Sequence, residues 1–108
     1  MTESSVAIPV RIAGTGSYLP SRVLTNAELS AMVDTSDEWI MTRTGISERR
    51  IAADDEFTSH MATHAARRAL DDAGLDAADL ELIIVATITP DTVTPATACY
   101  VQRNLGAR

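Results

Sequence analysis

The sequence predicts an α/β chain whose sheet is incomplete, and three observations lead there. A strand-like run from Val6 to Leu19 carries Val10 and Ile12 and is ended by Pro20. A continuous apolar run, Leu82-Ile83-Ile84-Val85-Ala86, has the character of a strand buried on both faces. Helix signals lie between these runs and after them. Two strong strands cannot form a sheet covered on both sides, because sheets typically hold about five or six. The chain therefore reads as the opening of a larger domain.

Each element has its own justification. In the first run, Ala13-Gly14 leads into Gly16, where a tight turn or a close backbone approach explains two glycines so near each other. Thr25 followed by Glu28 has the form of a capping box, so a short helix is expected from Asn26 to about Val33. Ser36 can cap a second short helix with Asp37 and Glu38 in its first turn, where the helix dipole favours anions. Gly45 suits the left-handed residue that ends it. Ser47 to Ala52 reads as a short strand or extended arm. The longest helix starts near Thr58 or Ser59, runs through Met61, Ala65, Ala69 and Leu70, and stops at Gly74. After the Leu82–Ala86 strand, Thr94-Pro95 predicts a last helix, with proline at its first position, from Ala96 to Leu105 and Gly106 beyond.

Composition narrows the function classes. At 108 residues the chain holds at most one domain, and its 45% hydrophobic and 22% charged content is that of a globular protein. A net charge of −6 argues against a nucleic-acid partner, which calls for a basic face. A single cysteine excludes an internal disulfide and a Cys-rich metal site, and fits a reducing compartment. No stretch is long or apolar enough to span a membrane, and Met1 to Ser5 lacks a secretory pattern. A cytoplasmic location is expected.

Trp39 and Arg43 are the residues of most chemical interest. Four apart on the second helix, they share one face, and a flat aromatic beside a planar cation can clamp a nucleotide base and its phosphates. Composition alone favours Trp39 as the anchor of a small core with Arg43 on the surface, since most tryptophans serve packing. Gly14-x-Gly16 resembles a dinucleotide loop only weakly, since Leu19 stands where the third glycine belongs. His60 and His64 are spaced to share a metal but have no third ligand, and metal binding is not expected. Cys99, early in the last helix, has the position of a nucleophile but apolar surroundings. The acidic pairs Asp54-Asp55 and Asp71-Asp72 read as solvated faces.

Four segments together resemble a known family: Gly14-Thr15-Gly16-Ser17-Tyr18-Leu19-Pro20; Val33-Asp34-Thr35-Ser36-Asp37-Glu38-Trp39-Ile40; Thr42-Arg43-Thr44-Gly45-Ile46-x-Glu48-Arg49; and the Leu82–Thr87 strand leading to Ala98-Cys99. The family is β-ketoacyl-acyl carrier protein synthase III, and the similarity covers the chain from about Arg11 onward. It implies a thiolase-like fold of layered αβαβα type, of which residues 1–108 form the N-terminal portion of the first half, the remainder being absent. It also implies an acyltransferase that condenses an acyl-CoA primer with malonyl-acyl carrier protein, releasing CO2, to begin type II fatty acid synthesis. The coenzyme A thioester is then a substrate, with no permanently bound cofactor. The partners are acyl-CoA, malonyl-acyl carrier protein and a second copy of the chain in a homodimer.

Carried over residue by residue, Trp39 corresponds to the family tryptophan that stacks on the adenine, Arg43 to its partner near the phosphates, and Thr35 to a threonine at the adenine edge. The resemblance therefore favours the clamp over the core anchor. Thr94 corresponds to a site where some relatives place a phenylalanine that shortens the acyl pocket, which implies room for longer or branched primers. Cys99, followed by Tyr100-Val101, corresponds to an earlier, non-catalytic cysteine. The catalytic cysteine, histidine and asparagine would all lie beyond Arg108, so this chain is expected to carry no catalytic residue and to be inactive and unstable alone. Two alternatives stand beside this reading. One is a related ketosynthase of secondary metabolism, making a quinolone, olefin or polyketide starter. The other is a catalytically dead module that binds coenzyme A or a partner.

Overall fold

The computed structural model describes residues 7–108. Its elements are β1 (Arg22–Thr25), α1 (Asn26–Met32), α2 (Asp37–Thr44), β2 (Glu48–Ile51), α3 (Thr58–Ala73), a single 3-10 turn (Ala77–Asp79) and α4 (Thr97–Leu105). β1 and β2 pair antiparallel, with Arg22 opposite Ile51 and Thr25 opposite Glu48. The two short helices therefore form an excursion between paired strands, sealed at its base where the Asn26 N–H donates to the Ser47 carbonyl at 3.1 Å.

The helix ends follow the local signals. Thr25 Oγ1 accepts from the Glu28 N–H at 3.2 Å, and the Glu28 carboxylate accepts from the Thr25 N–H at 2.8 Å, completing the capping box. The Thr25 N–H and, next, its hydroxyl donate to the Glu28 carboxylate and hold it below its usual range. Ser36 Oγ accepts from the Trp39 N–H at 3.1 Å to start α2, and Gly45 ends it at φ 69° with its N–H on the Met41 carbonyl. α3 begins at Thr58 and ends at Gly74 as its pattern predicts. Phe57, at its N-cap, has no side chain able to accept. Asp91 reaches in from a distant loop and takes both the N–H and the hydroxyl of Ser59, at 2.8 and 2.5 Å.

α3 packs on α4 through small and polar residues. Ser59 and Thr63 of α3 and Thr97 and Val101 of α4 are all buried, each pair one turn apart. Arg67 donates to the Asn104 carbonyl across the same seam at 2.8 Å. On another face, the segment carrying Gly14 and Gly16 lies directly against α3. A Cβ on Gly16 would stand 2.3 Å from the Ala65 carbonyl oxygen, and one on Gly14 would stand 2.6 Å from that of Ala69. Close backbone approach is therefore why these positions are glycine. Thr15 donates its N–H to Asp72, Arg68 donates to the Ser17 carbonyl, and Tyr18 stacks on His64 while its hydroxyl donates to Glu56. That last bond keeps the Glu56 carboxyl below its ordinary range.

The strand expectations need correction. The Val6–Leu19 strand is not formed: Val6 lies outside the described residues, and 7–19 adopt no regular secondary structure. Nor do Leu82 to Ala86, the run expected as a buried strand. A strand exists through ladder bonds to a neighbour, and among the described residues neither run has one; the only pairing is β1 with β2, of which β1 was not foreseen. Val10 and Ile84 accordingly stand 90% and 80% exposed. Pro95 is not the first residue of the last helix. Ala96 is still extended at ψ 147°, and α4 begins at Thr97, two residues beyond the proline.

Only Leu24, Ile40 and Val101 are buried hydrophobics among the described residues. The accessible surface is 8587 Å², where a compact monomer of this size exposes roughly 5,800 Å². The radius of gyration, 19.0 Å, likewise exceeds the ~13 Å of a compact chain of this length. The helices and hairpin form an α/β framework whose apolar runs are open.

Candidate functional site

Helix α2 gathers the residues that the sequence singled out. Ile40 turns inward and is 6% exposed, which fixes the helix rotation and leaves its neighbour Trp39 outward at 54% exposed. Trp39 is therefore not the anchor of a small core; Ile40 is. One turn on, the Arg43 guanidinium carbon lies over the indole, 4.9 Å from the ring centroid, within cation–π range.

An open groove of about 480 Å³ runs beside this pair, lined by Asp34, Thr35, Ser36 and Trp39. Thr35 is half-buried and lines the same groove as the indole. Arg43 does not line the groove. It sits over the ring and adds a fixed positive charge to a locality that otherwise carries Asp34, Asp37 and Glu38. A planar aromatic ligand can lie against the indole with the threonine hydroxyl at its edge and the guanidinium available to an anionic substituent. The structure thus brings Thr35, Trp39 and Arg43 together. Thr94 does not join them; it is exposed in the loop before α4 and lines no part of this groove.

Asn26 also bears on the site, and the residue-type patterns missed it. Its side chain is 2% exposed and donates to the Asp37 carboxylate at 2.7 Å and to the Ile46 carbonyl at 2.8 Å. Asp37 opens α2 and Ile46 follows its terminal glycine. A donor-rich residue directly behind a cap, where the cap itself does not need it, was the only available signal.

The other candidates have different roles. His60 Nδ1 accepts the Phe57 N–H at 3.1 Å at the start of α3, and His64 stacks on Tyr18 with centroids 4.8 Å apart. Among the described residues, no cluster of three or more His, Cys, Asp or Glu is placed to hold a metal ion. Cys99, third residue of α4, is exposed. It borders a smaller hollow of about 260 Å³ whose lining mixes the apolar Leu80, Leu82, Ile83 and Ala98 with Glu81 and Arg108. No helix among the described residues is long and apolar enough to cross a membrane.

The chain was compared with known proteins in sequence and in fold. No protein-family model matches the chain. It is 63% identical over 100 residues to the β-ketoacyl-acyl carrier protein synthase III of Caldanaerobacter subterraneus subsp. tengcongensis, covering 93% of this chain and 30% of that protein. Among solved structures, the 3-oxoacyl-acyl carrier protein synthase III of Aquifex aeolicus superposes with a TM-score of 0.83 at 58% identity, over 88% of this chain and 30% of that one. The priming β-ketosynthase of the R1128 polyketide pathway gives 0.84 at 40% identity, over 96% and 33%. The chain thus spans about 30% of the length of the curated relatives it matches. Over those residues it is similar to β-ketoacyl-acyl carrier protein synthase III in both sequence and fold, and the α/β, thiolase-like class follows from the same comparisons.

Proposed function

We propose that this chain, alike in sequence and fold to β-ketoacyl-acyl carrier protein synthase III, is the N-terminal portion of such an enzyme. The full-length protein is an acyltransferase that joins an acyl-CoA primer to malonyl-acyl carrier protein, releasing CO2, to initiate type II fatty acid synthesis. The observation that carries this reading is the exposed Trp39–Arg43 pair beside the Thr35 groove, set in a chain 63% identical to a curated synthase. In it, the adenine of the coenzyme A thioester stacks on Trp39, Thr35 meets the adenine edge, and Arg43 faces the phosphates. The chain's contribution is to hold the nucleotide end of the primer, while the acyl-accepting cysteine and its assisting histidine and asparagine follow Arg108.

Three finer points belong to the same reading. Thr94, in place of a bulky aromatic, leaves space for a longer or branched acyl chain. The enzyme works as a homodimer with the Thr92–Leu105 region near the interface. It acts in the cytoplasm. Supply of a primer for a secondary-metabolite pathway is the second reading, favoured by the 0.84 TM-score to the R1128 priming ketosynthase. Its 40% identity, against 58% for the Aquifex synthase, leaves fatty acid initiation ahead.

The test is steady-state condensation by the full-length protein with a series of acyl-CoA primers and malonyl-acyl carrier protein. Trp39→Ala should raise the KM for acyl-CoA by roughly 5- to 150-fold, the span of losing one base–aromatic stack. No turnover with any acyl-CoA, or an unchanged KM in the variant, would overturn the assignment. A strict acetyl-CoA preference would remove the role given to Thr94.

A further inference from the structure

Among the described residues, two of the most deeply buried side chains are polar: Asn26 and Ser59, each 2% exposed. Ser59 is explained by its contact with Asp91 at the start of α3. Asn26 has a different use. Its Nδ2 group donates one bond to Asp37 Oδ1 at 2.7 Å and one to the Ile46 carbonyl at 2.8 Å. Both partners are acceptors, so the amide must present its nitrogen to them, and both its hydrogens are engaged. Its Oδ1 meets no donor among the described residues, so the nitrogen does the tethering.

The two acceptors bracket α2. Asp37 is its first residue, and Ile46 comes directly after Gly45, which closes it at φ 69°. Trp39 and Arg43 lie between those two points. α2 has only eight residues and buries only Ile40, so hydrophobic packing alone holds it weakly. The backbone N–H of Asn26 is fixed on the Ser47 carbonyl just before β2, and its side-chain amide therefore ties both ends of the helix that carries the clamp.

We infer that Asn26 is a positioning residue for nucleotide recognition, setting the orientation of α2 so that Trp39 and Arg43 meet the adenine end of a coenzyme A thioester. This rests on the adenine-clamp reading of that pair. Leucine has nearly the same shape but no donors, and aspartate would set a second carboxylate against Asp37; neither can replace the tether.

The experiment compares two primers in the full-length enzyme: acyl-CoA, and the matching acyl-pantetheine, which lacks the nucleotide. Asn26→Leu should raise the KM for acyl-CoA about tenfold, the lower end of what losing a charge-assisted bond costs, while the KM for acyl-pantetheine keeps its wild-type value. Asp37→Ala, at an exposed partner, removes one of the two bonds and should give a smaller rise with the same selectivity, so the inference stays testable if the buried variant folds poorly. Trp39→Ala is the reference. If it separates the two primers and the Asn26 and Asp37 variants do not, or if they impair both primers equally, Asn26 is structural only and the inference is wrong. If Trp39→Ala itself treats the primers alike, the clamp reading fails and the inference falls with it.

Discussion

Between Arg22 and Ile51, each element has its partner within the same thirty residues; on either side of α3, the apolar runs 7–13 and 82–88 have theirs nowhere among the described residues. In the first region Thr25, Ser36 and Gly45 terminate helices with their own groups, β1 pairs with β2, and Asn26 joins the helices to the hairpin. In the second, Ile8, Val10, Leu82 and Ile88 are exposed on segments outside any helix or strand. Caps and turns are satisfied by residues two to four positions away, and strands only by another backbone of correct register. The nucleotide end of the proposed substrate site falls in the self-sufficient region, so its geometry is formed in a chain whose sheet is not.

The largest effect expected from this contrast concerns the chain as a whole. Produced alone, residues 1–108 should show no cooperative melt by circular dichroism and should self-associate on size-exclusion chromatography. Their open apolar runs offer both hydrophobic surface and unpaired strand edges. The full-length protein should melt cooperatively. A monomeric, cooperative transition of the short chain would break the comparison, since it would show the two runs finding partners within it.

A smaller effect sharpens where the open region is nonetheless anchored. Gly14 and Gly16 press on α3 so closely that a methyl group at residue 16 meets backbone atoms of Ala65 and Ala69 at 2.3 and 2.4 Å. Backbone cannot swing aside as a side chain can, so Gly16→Ala in the full-length protein should cost about 2–3 kcal/mol in urea unfolding, as overpacking does. Gly45→Ala, where a Cβ meets open space, should cost only about 1 kcal/mol for its φ of 69°. Equal costs at the two positions would mean that the glycine segment is not seated on α3.

The legibility of the sequence divides along the same line. Thr25 with Glu28, Ser36, Gly45 and Gly74 each announce a helix end through chemistry that acts over a few residues, and those boundaries appear where expected. The Trp39–Arg43 spacing was readable for the same reason, because helical geometry alone places the cation over the ring. The runs Val6–Leu19, as far as it is described, and Leu82–Ala86 carried strand character without strand structure, since apolar sequence states a need for burial and not what meets it. Asn26 and Asp91 escaped notice because their partners lie 11 to 32 residues away, beyond the reach of any local pattern.

The smallest effect tests whether the self-sufficient region owes its start to the reciprocal capping box or to the Thr25 hydroxyl alone. At neutral pH, Thr25→Ala in the full-length protein should cost about 1 kcal/mol, the usual cost of a lost N-cap. The Glu28 carboxylate accepts from the Thr25 N–H and from its hydroxyl, and both bonds hold its pKa below the ordinary value. A carboxyl depressed in the folded state contributes stability above its unfolded pKa and loses it as the pH falls through the folded one. The variant lacks the hydroxyl, so its Glu28 is less depressed and has less to lose. The stability gap between wild type and Thr25→Ala should therefore narrow as the pH falls from 7 through the carboxylate range. A gap that stays constant would assign the helix start to the hydroxyl on the Glu28 N–H, and leave the carboxylate no part in it.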